Sequence, residues 1–477
     1  MKVTDYSSLS AVETAERIHA RKLTAREVTE AALKALDAAE PRIHAFATVA
    51  REQALRDAGE VDAKIASGQD VGPLAGVPVA VKDLVMTKGL RTTFGSRLYA
   101  HFVPEDDDIV VERLKGAGAI VIGKSNASEF GMGAHGNNLL FEVTRNPWDL
   151  ARTPGGSSAG SAAAVSAGVC ALSIGSDGGG SIRIPASFTG LFGLKASMGR
   201  VPLWPGCRDE RYPGASGWES IEHIGPITRS VADAALMLSV IAGPDPRDRL
   251  SLPAGDVDWV AAAGAPLKRG LRVAYWPQWR GAPIDPRVRE VVDQAVAEFA
   301  ESHRLEVTVC EPPDIDIGPA FQVIVALETD LTGMRRLIAE RGVAVSPAVT
   351  AALGQRLPLE AATDAVTTRK AWANAIAKLM SRFDLILTPT LPLLPFAAEV
   401  RDPDEIDGRS VGPDQWCPFT FPFNLTGQPA ASVPCGLVDG LPVGLQIVGP
   451  HLGDAVVLAA AAAFERMKPW PRAPFRL

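Results

Sequence analysis

Apolar and polar positions along this chain follow two periods, and each period predicts one kind of element. Two capping-box patterns of the form Ser/Thr-x-x-Glu, beginning at Ser10 and Thr24, predict helices near the N-terminus. A third helical stretch follows, so that about residues 8–67 are expected to be helical and to pack on the rest of the chain. A short apolar run at 77–81 then predicts a buried strand that ends at Lys82.

The rest of the chain repeats the order of helix and strand, which predicts an α/β protein. The predicted helices lie at about 109–115, 161–167, 181–187 and 285–300, and the predicted strands at 119–122, 171–174, 385–387 and 443–448. No repeat, charge run or flexible linker interrupts this order, which favours a single domain over residues 1–477. A Gly/Pro punctuation near residue 243 marks a candidate insertion, about 243–380, within that domain.

Composition and charge narrow the class of protein and its partners. Of the 477 residues, 47% are hydrophobic and 22% are charged, as in ordinary globular proteins. The net charge of −7 argues against a large phosphate-binding surface, so nucleic acid is not expected as a partner. Neither a secretory signal nor an apolar run long enough to cross a bilayer is visible. We therefore expect a cytoplasmic protein that does not bind a membrane. A small-molecule substrate and a monomer or homodimer are further expectations, which composition and charge do not establish.

One segment matches a nucleotide-binding motif by its letters. From Gly118 to Ser125 the sequence GAIVIGKS fits the pattern GxxxxGK[ST]. A phosphate-binding loop needs backbone N–H groups that converge on the anion, whereas Ala-Ile-Val-Ile favours a strand and here follows a helix. A buried strand that ends in a turn is the favoured interpretation. A nucleotide-binding protein stays open as an alternative of a different class.

A second segment, residues 154–195, is rich in glycine and serine. A glycine-rich turn before a helix leaves backbone N–H groups free, which suits a phosphate or the oxyanion of an acyl transfer. Ser181 lies where such groups converge and is a candidate nucleophile, which needs a base. Lys82 is a candidate base, because desolvation at the end of an apolar run lowers the pKa of a lysine. From these residues alone, the glycine- and serine-rich segment can also be a low-complexity linker, and Lys82 can also be an ordinary surface lysine.

Metal chemistry finds no support in the sequence. The seven histidines are scattered, without HExxH or another metal-ligand spacing. A Ser–His–Asp triad stays open, although no GxSxG elbow supports it. We expect neither a metal nor an organic cofactor.

These segments together resemble the amidase signature family. GVPVAVKD at 76–83, the serine- and glycine-rich signature at 155–164 and 175–195, and two C-terminal segments at 384–392 and 418–450 carry the resemblance over nearly the whole chain. The resemblance implies one α/β/α domain around a large, twisted, mixed β-sheet. Position by position, it implies Ser181 as the nucleophile, Ser157 as a bridging serine after a cis peptide bond, and Lys82 as the base.

The resemblance also implies the reaction, a hydrolysis of amide-type carbon–nitrogen bonds through an acyl-enzyme. Amides, anilides and carbamates all fit this chemistry. Asp177 and Arg183 match polar positions that hold the nucleophile turn in shape. Gly178 replaces a bulkier residue, so the loop is expected to be more mobile than usual. The backbone donors implied for the oxyanion hole are those of Gly178, Gly179, Gly180 and Ser181.

Residues near the signature suggest the substrate. The predicted substrate contacts are Met132, Arg183, Trp204, Trp218 and Phe419. The aromatic side chains among them favour an apolar or aryl substrate, such as that of an aryl acylamidase or a urethanase, over a small diacid amide. The alternative within the same family is the glutaminase subunit of a tRNA-dependent amidotransferase. Ile184 argues against that alternative, because those subunits usually carry Gln after the signature Arg.

Overall fold

Eleven strands form one mixed β-sheet in the computed structural model, which describes residues 6–215, 217–412 and 415–477. The sheet strands are β1 Phe46–Val49, β2 Pro78–Lys82, β3 Ile120–Ser125, β4 Leu172–Ser176, β5 Phe192–Lys195, β6 Ile224–Thr228, β7 Arg272–Tyr275, β8 Glu306–Val309, β9 Leu385–Pro389, β12 Ala430–Val438 and β13 Leu441–Val448. A separate hairpin contains β10 Glu405–Ile406 and β11 Arg409–Ser410.

Helices flank this sheet along the described chain. They are α1 Ala11–His19, α2 Ala25–Ile43, α3 Arg51–Ala66, α4 Ile109–Gly116, α5 Ala159–Ser166, α6 Arg183–Phe188, α7 Val231–Ile241, α8 Trp259–Gly264, α9 Pro286–His303, α10 Gly318–Leu327, α11 Leu331–Arg341, α12 Pro347–Gly354, α13 Leu359–Met380, α14 Pro422–Thr426 and α15 Asp454–Met467. Short 3-10 turns occur at Tyr6–Ser8, Arg97–Tyr99, Glu129–Gly131 and Gly206–Arg208.

The strand order places the segments of the predicted active site next to one another. Across the sheet the order is β1-β3-β2-β4-β6-β5-β12-β13-β9-β7-β8. Strand β2 runs parallel to both β3 and β4, whereas β6 and β12 pair with their neighbours in the antiparallel direction. Because β2 and β4 are parallel, their last residues, Lys82 and Ser176, lie at the same edge of the sheet.

The alternation of side chains in β2 explains the two helical layers. Val79 and Val81 belong to a core with α4, α7, α9 and α15, and Ala80 belongs to a second core with α2, α3 and α5. Both faces of this strand are apolar and buried, as expected for a central strand covered by helices on both sides. The predicted single α/β/α domain with a mixed sheet is confirmed. Segment 243–380 contributes β7 and β8 to the same sheet, and its origin as an insertion stays a prediction.

The helix predicted to open at Ser181 instead begins at Arg183. Ser181 therefore lies in the turn that precedes α6, after Gly180, whose φ of +134° favours glycine. The carboxylate of Asp177 accepts hydrogen bonds from the N–H groups of Gly180 and Ile182, so this turn is fixed by a side chain and the helix starts only after it.

The nucleotide-binding hypothesis for Gly118 to Ser125 is wrong. Residues 120–125 form β3, which pairs with β1 on one side and β2 on the other, so no phosphate-binding loop is present. The buried Lys124 ammonium group donates to the carbonyl oxygen of Val85 and to Thr87 Oγ1. A lysine committed to these acceptors is not available for a phosphate.

Within the described residues, no helix combines the length and the apolar character that crossing a membrane requires.

Two glycines in helices test how tightly α5, which follows Ser157, is packed. A Cβ atom at Gly160 would collide with backbone atoms of Ala45 and Asn126, whereas nothing lies within 4 Å of a Cβ at Gly59 in α3. We expect Gly160→Ala to lower the free energy of unfolding by about 3 kcal/mol, because backbone atoms cannot move aside. Gly59→Ala should raise the free energy of unfolding by about 0.5–1 kcal/mol, because alanine has a higher helix propensity than glycine. Urea unfolding of both variants measures this, and an equal effect at the two sites would contradict the packing argument.

Candidate active site

The side chains of Lys82 and Ser157 meet in the interior. Lys82 ends β2 and is completely buried, and its Nζ donates to Ser157 Oγ at 2.7 Å. Ser157 follows a cis peptide bond after Gly156, the feature that the family resemblance implied, and stands just before α5. Lys82 Nζ also lies 2.9 Å from Ser176 Oγ and 3.2 Å from the carbonyl oxygen of Ser176. The lysine is thus surrounded by hydroxyl and carbonyl oxygens, and it forms no ion pair with any described carboxylate.

Burial sets the protonation of this lysine. Desolvation lowers the pKa of Lys82 to about 8, and the carboxylates of Glu222 and Asp177 oppose this shift. A lysine with such a pKa is partly neutral near neutral pH, so it can accept a proton. The predicted desolvation at the end of the apolar run is therefore present in the structure.

Ser181 lies beside this pair and is partly exposed. Its carbonyl oxygen accepts a hydrogen bond of 3.3 Å from the N–H of Ser158, the residue after Ser157. Between residues 153 and 197, only Gly179 and Ser181 are not buried. Within the described chain no hydrogen bond joins the hydroxyls of Ser181 and Ser157. The structure thus brings Lys82 and Ser157 into contact and leaves Ser181 as the accessible serine of this segment.

A buried ion pair holds the turn that carries Ser181. The guanidinium of Arg183 binds both carboxylate oxygens of Asp177 at 2.9 Å, and Asp177 Oδ1 also accepts the N–H of Gly180 at 2.7 Å. Asn424 Nδ2 donates to Asp177 Oδ1 as well, at 2.9 Å. Burial alone would raise the pKa of Asp177, but the neighbouring Arg183 guanidinium holds this pKa well below its usual range. The carboxylate stays ionised and fixes the backbone on both sides of Ser181.

The contacts of Arg183 argue against its predicted role as a substrate-binding residue. Its side chain is fully buried, and the N–H groups not used by Asp177 donate to the Thr420 carbonyl oxygen, Gln446 Oε1 and Asn424 Oδ1 at 2.7–2.8 Å. A guanidinium has five N–H donors, and these contacts use all of them. Arg183 has no donor left for a ligand.

The predicted oxyanion hole is also corrected at one position. The N–H of Gly180 is donated to Asp177 Oδ1, so it is not free for an oxyanion. In the described chain, the N–H groups of Gly178, Gly179 and Ser181 have no hydrogen-bond acceptor. These three remain candidates to stabilise developing negative charge.

The packing around Gly178 argues against the mobility that the sequence predicted for this loop. A Cβ atom there would lie 2.7 Å from Glu222 Oε2 and 2.9 Å from Trp218 Cε3. The space of the missing side chain is therefore filled by these two residues.

An apolar cavity adjoins the buried lysine. Its walls include Leu84, Phe130, Trp218 and Thr329, and the polar side chains of Ser176 and Glu222 also reach it. Trp218 Nε1 donates to Thr329 Oγ1 at 3.0 Å, which fixes the indole over this cavity. A Cβ atom at Gly131 would lie 3.3 Å from the Trp218 ring and 3.5 Å from Ser157 Oγ, so the ring is close to the candidate centre. Trp218 thus lines this cavity, and its contact with a substrate stays a prediction.

The other predicted substrate contacts lie elsewhere. Trp204 stacks under the guanidinium of Arg247, with 5.0 Å between the guanidinium carbon and the ring centroid. Phe419 is buried in a core with the α10 and α13 helices, and its ring meets the edge of Trp279. Met132 is buried in the hydrophobic cluster that also includes Phe130 from the cavity wall. None of the three lines the cavity beside Lys82.

Sequence reasoning missed several residues around the centre. Ser176 and Glu222 approach Lys82, Phe321 abuts Gly179, and Thr420 Oγ1 donates to the carbonyl oxygen of Gly179 at 2.7 Å. Ser176 and Thr420 belong to segments that carry the family resemblance, although the sequence analysis assigns a role to neither. Glu222 and Phe321 come from other segments and have no sequence signal of their own.

No group of three or more His, Cys, Asp or Glu side chains in the described part of the chain is arranged to hold a metal ion.

The Asp177–Arg183 pair supplies a test of the turn. In Arg183→Lys the ammonium cannot replace the bidentate contact or reach all four partner residues. We expect the free energy of unfolding to fall by about 3–5 kcal/mol, because a buried carboxylate loses its partner. Urea unfolding measures the stability, and labelling of Ser181 with a fluorophosphonate measures the integrity of the turn. Arg272→Lys, at an exposed pair with Asp384, is the control and should change stability by less than about 1 kcal/mol. Equal losses at the two sites would contradict the role of the buried pair.

Comparisons with known proteins agree with this architecture. The chain is 37% identical over 492 residues to a glutamyl-tRNA(Gln) amidotransferase subunit of Moorella thermoacetica, covering 97% of each protein. Among solved structures, a bacterial aryl acylamidase of the amidase signature family superposes with a TM-score of 0.89 at 30% identity, covering 97% of this chain and 96% of that one. The corresponding glutamyl-tRNA(Gln) amidotransferase subunit of Thermotoga maritima superposes with a TM-score of 0.79 at 30% identity, covering 100% of each chain.

These relatives correct the prediction about partners. The prediction excluded nucleic acid and expected a monomer or homodimer, whereas the curated relatives are named as one subunit of an enzyme of glutamyl-tRNA. That part of the prediction is wrong. The net charge of −7 describes this chain alone, and an acidic subunit can work in an assembly whose other subunits contact RNA. The relatives also favour the amidotransferase alternative over the main prediction of an apolar-amide hydrolase.

The family itself follows from a match over most of the chain. The family model described as Amidase matches residues 27–458, which include Lys82, Ser157 and Ser181. With the mixed sheet and the superpositions above, this match places the protein among enzymes that act on carbon–nitrogen bonds. The chain belongs to the amidase family, in its amidase signature group, as the sequence resemblance predicted.

Proposed function

We propose that this chain hydrolyses amide carbon–nitrogen bonds with Ser181 as nucleophile, Ser157 as proton relay and Lys82 as base. We further propose that it does so as the glutaminase subunit of a tRNA-dependent amidotransferase. The observation that carries the reaction is the 2.7 Å hydrogen bond between Lys82 Nζ and Ser157 Oγ in a buried setting. The subunit role is supported by 37% identity to such a subunit over 97% of both chains.

The proposed reaction begins with two linked proton transfers. Neutral Lys82 accepts the proton of Ser157 Oγ while Ser157 Oγ accepts the proton of Ser181 Oγ, which attacks the carbonyl carbon. The backbone donors of Gly178, Gly179 and Ser181 stabilise the oxyanion. The proton then returns through Ser157 to the nitrogen, the carbon–nitrogen bond breaks, and the amine or ammonia leaves. Water cleaves the Ser181 ester by the same route and restores the free hydroxyl.

A second candidate is a stand-alone hydrolase of apolar amides, anilides or carbamates. Two observations favour it: the cavity beside Lys82 has apolar walls formed by Leu84, Phe130 and Trp218, and Ile184 replaces the Gln that amidotransferase subunits usually carry. Ile184 is buried near Gly180, where its Cδ1 lies 2.8 Å from the position of a Cβ atom. The superposition with an aryl acylamidase is consistent with this candidate.

An activity panel distinguishes the two candidates. The purified chain, alone and co-expressed with the other amidotransferase subunits of its genome, is assayed for ammonia release from glutamine and for hydrolysis of an acyl p-nitroanilide. We expect glutamine hydrolysis to rise at least about tenfold when the subunits co-purify, because a subunit's site is completed by its assembly. Faster anilide hydrolysis by the chain alone would support the second candidate instead.

In the same panel, Ser181→Ala should lower every activity by about 10⁴-fold, as expected for a nucleophile, without a change in the melting temperature. Ser166→Ala is the matched control, since that hydroxyl only donates to the Thr189 carbonyl oxygen. Activity that survives in Ser181→Ala would remove the proposed nucleophile.

The pKa of Lys82 supplies a second test. Because burial lowers this pKa to about 8, kcat/KM should rise with pH through about pH 8 and not near the ~10.4 of a free lysine. Lys82→Arg should be inactive, since a guanidinium stays protonated. The folded-state pKa lies below the unfolded one, so the folded protein disfavours the ammonium form. The free energy of unfolding should therefore gain a contribution as pH rises from about 8 to about 10, and Lys82→Met should lose it. An active Arg variant would remove Lys82 as the base.

A further inference from the structure

The turn that carries Trp218 has a strained backbone and lies beside the candidate centre. Trp218 has a φ of +58°, a value that bulky residues rarely adopt and that persists only where neighbouring contacts hold it. Its carbonyl oxygen accepts the N–H groups of Ile221 at 3.0 Å and Glu222 at 2.8 Å, which closes a turn over residues 218–222. The indole forms part of the wall of the cavity beside Lys82. The contacts that hold this turn therefore decide where that wall lies.

Ser220, inside this turn, uses every polar group it has. Its N–H donates to Glu328 Oε2 at 2.9 Å, and its hydroxyl donates to Glu328 Oε1. Its hydroxyl oxygen accepts a hydrogen bond from Arg369 Nη1 at 2.6 Å, and its carbonyl oxygen accepts one from Arg369 Nη2 at 2.8 Å. Main chain and side chain together give a serine two donors and two acceptor oxygens, and each is used here. Ser220 is thus fixed by two side chains of opposite charge.

Both of these charged side chains come from the segment 243–380. Glu328 directly follows α10, and Arg369 lies in α13. Glu328 also holds Trp218 through the main chain, because its carbonyl oxygen accepts the Trp218 N–H at 3.1 Å. The next residue, Thr329, accepts the indole N–H at 3.0 Å. The position of the Trp218 ring is therefore set by helices that are distant from it in sequence.

Arg369 has one more contact, which leads to the nucleophile turn by a different route. Its Nε donates to the carbonyl oxygen of Leu425 in α14 at 2.7 Å. The neighbouring Asn424 donates to Asp177, whose carboxylate fixes the nucleophile turn. A variant of Arg369 can therefore disturb the nucleophile turn as well as the turn of Ser220. Within the described residues the Ser220 hydroxyl contacts only the two charged side chains, so removing this hydroxyl separates the two effects.

We propose that Arg369 and Glu328 are positioning residues for the proposed amide hydrolysis: by both binding Ser220, they keep the Trp218 ring in place as a wall that selects substrates with an apolar or aryl group. This inference rests on the proposed function, since it concerns the substrate class of that same site. Neither charged side chain touches the substrate in this role. Both act through the turn that carries the indole.

Two fluorophosphonates that differ in one substituent, ethyl or phenylethyl, measure this selection at Ser181. The ratio of their second-order labelling rates gives the preference for the aryl group. We expect Trp218→Ala to lower this ratio about fivefold, the size of one aromatic contact. Ser220→Ala should lower it at least about threefold, because the hydroxyl no longer binds either charged side chain. The double variant should fall no further than Trp218→Ala alone, since the ring through which Ser220 acts is absent.

Arg113→Met is the matched control for Arg369→Met. Arg113 is also a partly buried arginine, and its donors bind the carbonyl oxygens of Ile241, Gly243 and Pro244. Arg369→Met should lower both labelling rates and also their ratio, whereas Arg113→Met should leave the ratio as it is in the unmodified protein. An unchanged ratio in folded Trp218→Ala, Ser220→Ala or Arg369→Met would overturn the proposal. Losses that multiply in the double variant would also overturn it.

Hydrogen–deuterium exchange tests the positioning without any labelling. In Ser220→Ala the amides of Ile221 and Glu222 should exchange at least about tenfold faster, since the turn that their N–H groups close is released. Peptides of α4 are the internal reference and should exchange as in the unmodified protein. Unchanged exchange over residues 218–222 would overturn the positioning role. If neither probe labels Ser181 of the unmodified chain, the proposed nucleophile fails, and exchange still decides the role of Ser220.

Discussion

The buried pair between Asp177 and Arg183 is the interaction on which this structure depends most. Taking two charges out of water is unfavourable unless every hydrogen-bonding group of the pair is satisfied. Here the remaining N–H groups of Arg183 bind the Thr420 carbonyl oxygen, Asn424 and Gln446, which belong to the C-terminal part of the chain. The pair therefore ties the nucleophile turn to β13 and α14. It also explains why Gly180 cannot donate to an oxyanion, since Asp177 already uses its N–H.

Burial of lysines does not by itself mark a catalytic base in this protein. Lys82, Lys124 and Lys195 are all buried, and desolvation lowers the pKa of each. Lys124 donates to the Val85 carbonyl oxygen and Lys195 to the Gln428 carbonyl oxygen, which are permanent acceptors. Lys82 alone among them contacts a serine hydroxyl next to an accessible serine. Whether a buried lysine can act as a base depends on the groups around its amine. The GxxxxGK[ST] match around Lys124 says nothing about those groups, and it suggested nucleotide binding, which is the wrong class of function.

The sequence predicted the elements whose local signals agree with their final packing. The capping boxes at Ser10 and Thr24 and the apolar run of β2 are such cases. Strands β6 and β12 were missed because Pro226 and Pro434 lie inside them, and proline usually argues against a central strand. Their pairing partners, which no local pattern shows, override that preference.

The predicted site shows the same division between local signals and distant contacts. The motifs located Lys82, Ser157 and Ser181. The substrate roles predicted for Arg183 and Phe419 are not supported, because the burial and contacts that argue against them exist only in the folded chain. Glu222 carries no motif. Only the strand order brings it next to Ser176.

The exposure of only Gly179 and Ser181 between residues 153 and 197 has an evolutionary consequence. The side chains that surround this opening, Trp218, Phe321 and Thr420, come from three segments outside the serine- and glycine-rich signature. Mutations in those segments can change which amide reaches the nucleophile while the proton-transfer residues stay the same. A gene duplicate could therefore acquire a new substrate by drift in its covering segments, under continued purifying selection on the signature. The mixture of amidotransferase subunits and amide hydrolases among the relatives of this chain is what such a division of labour would produce.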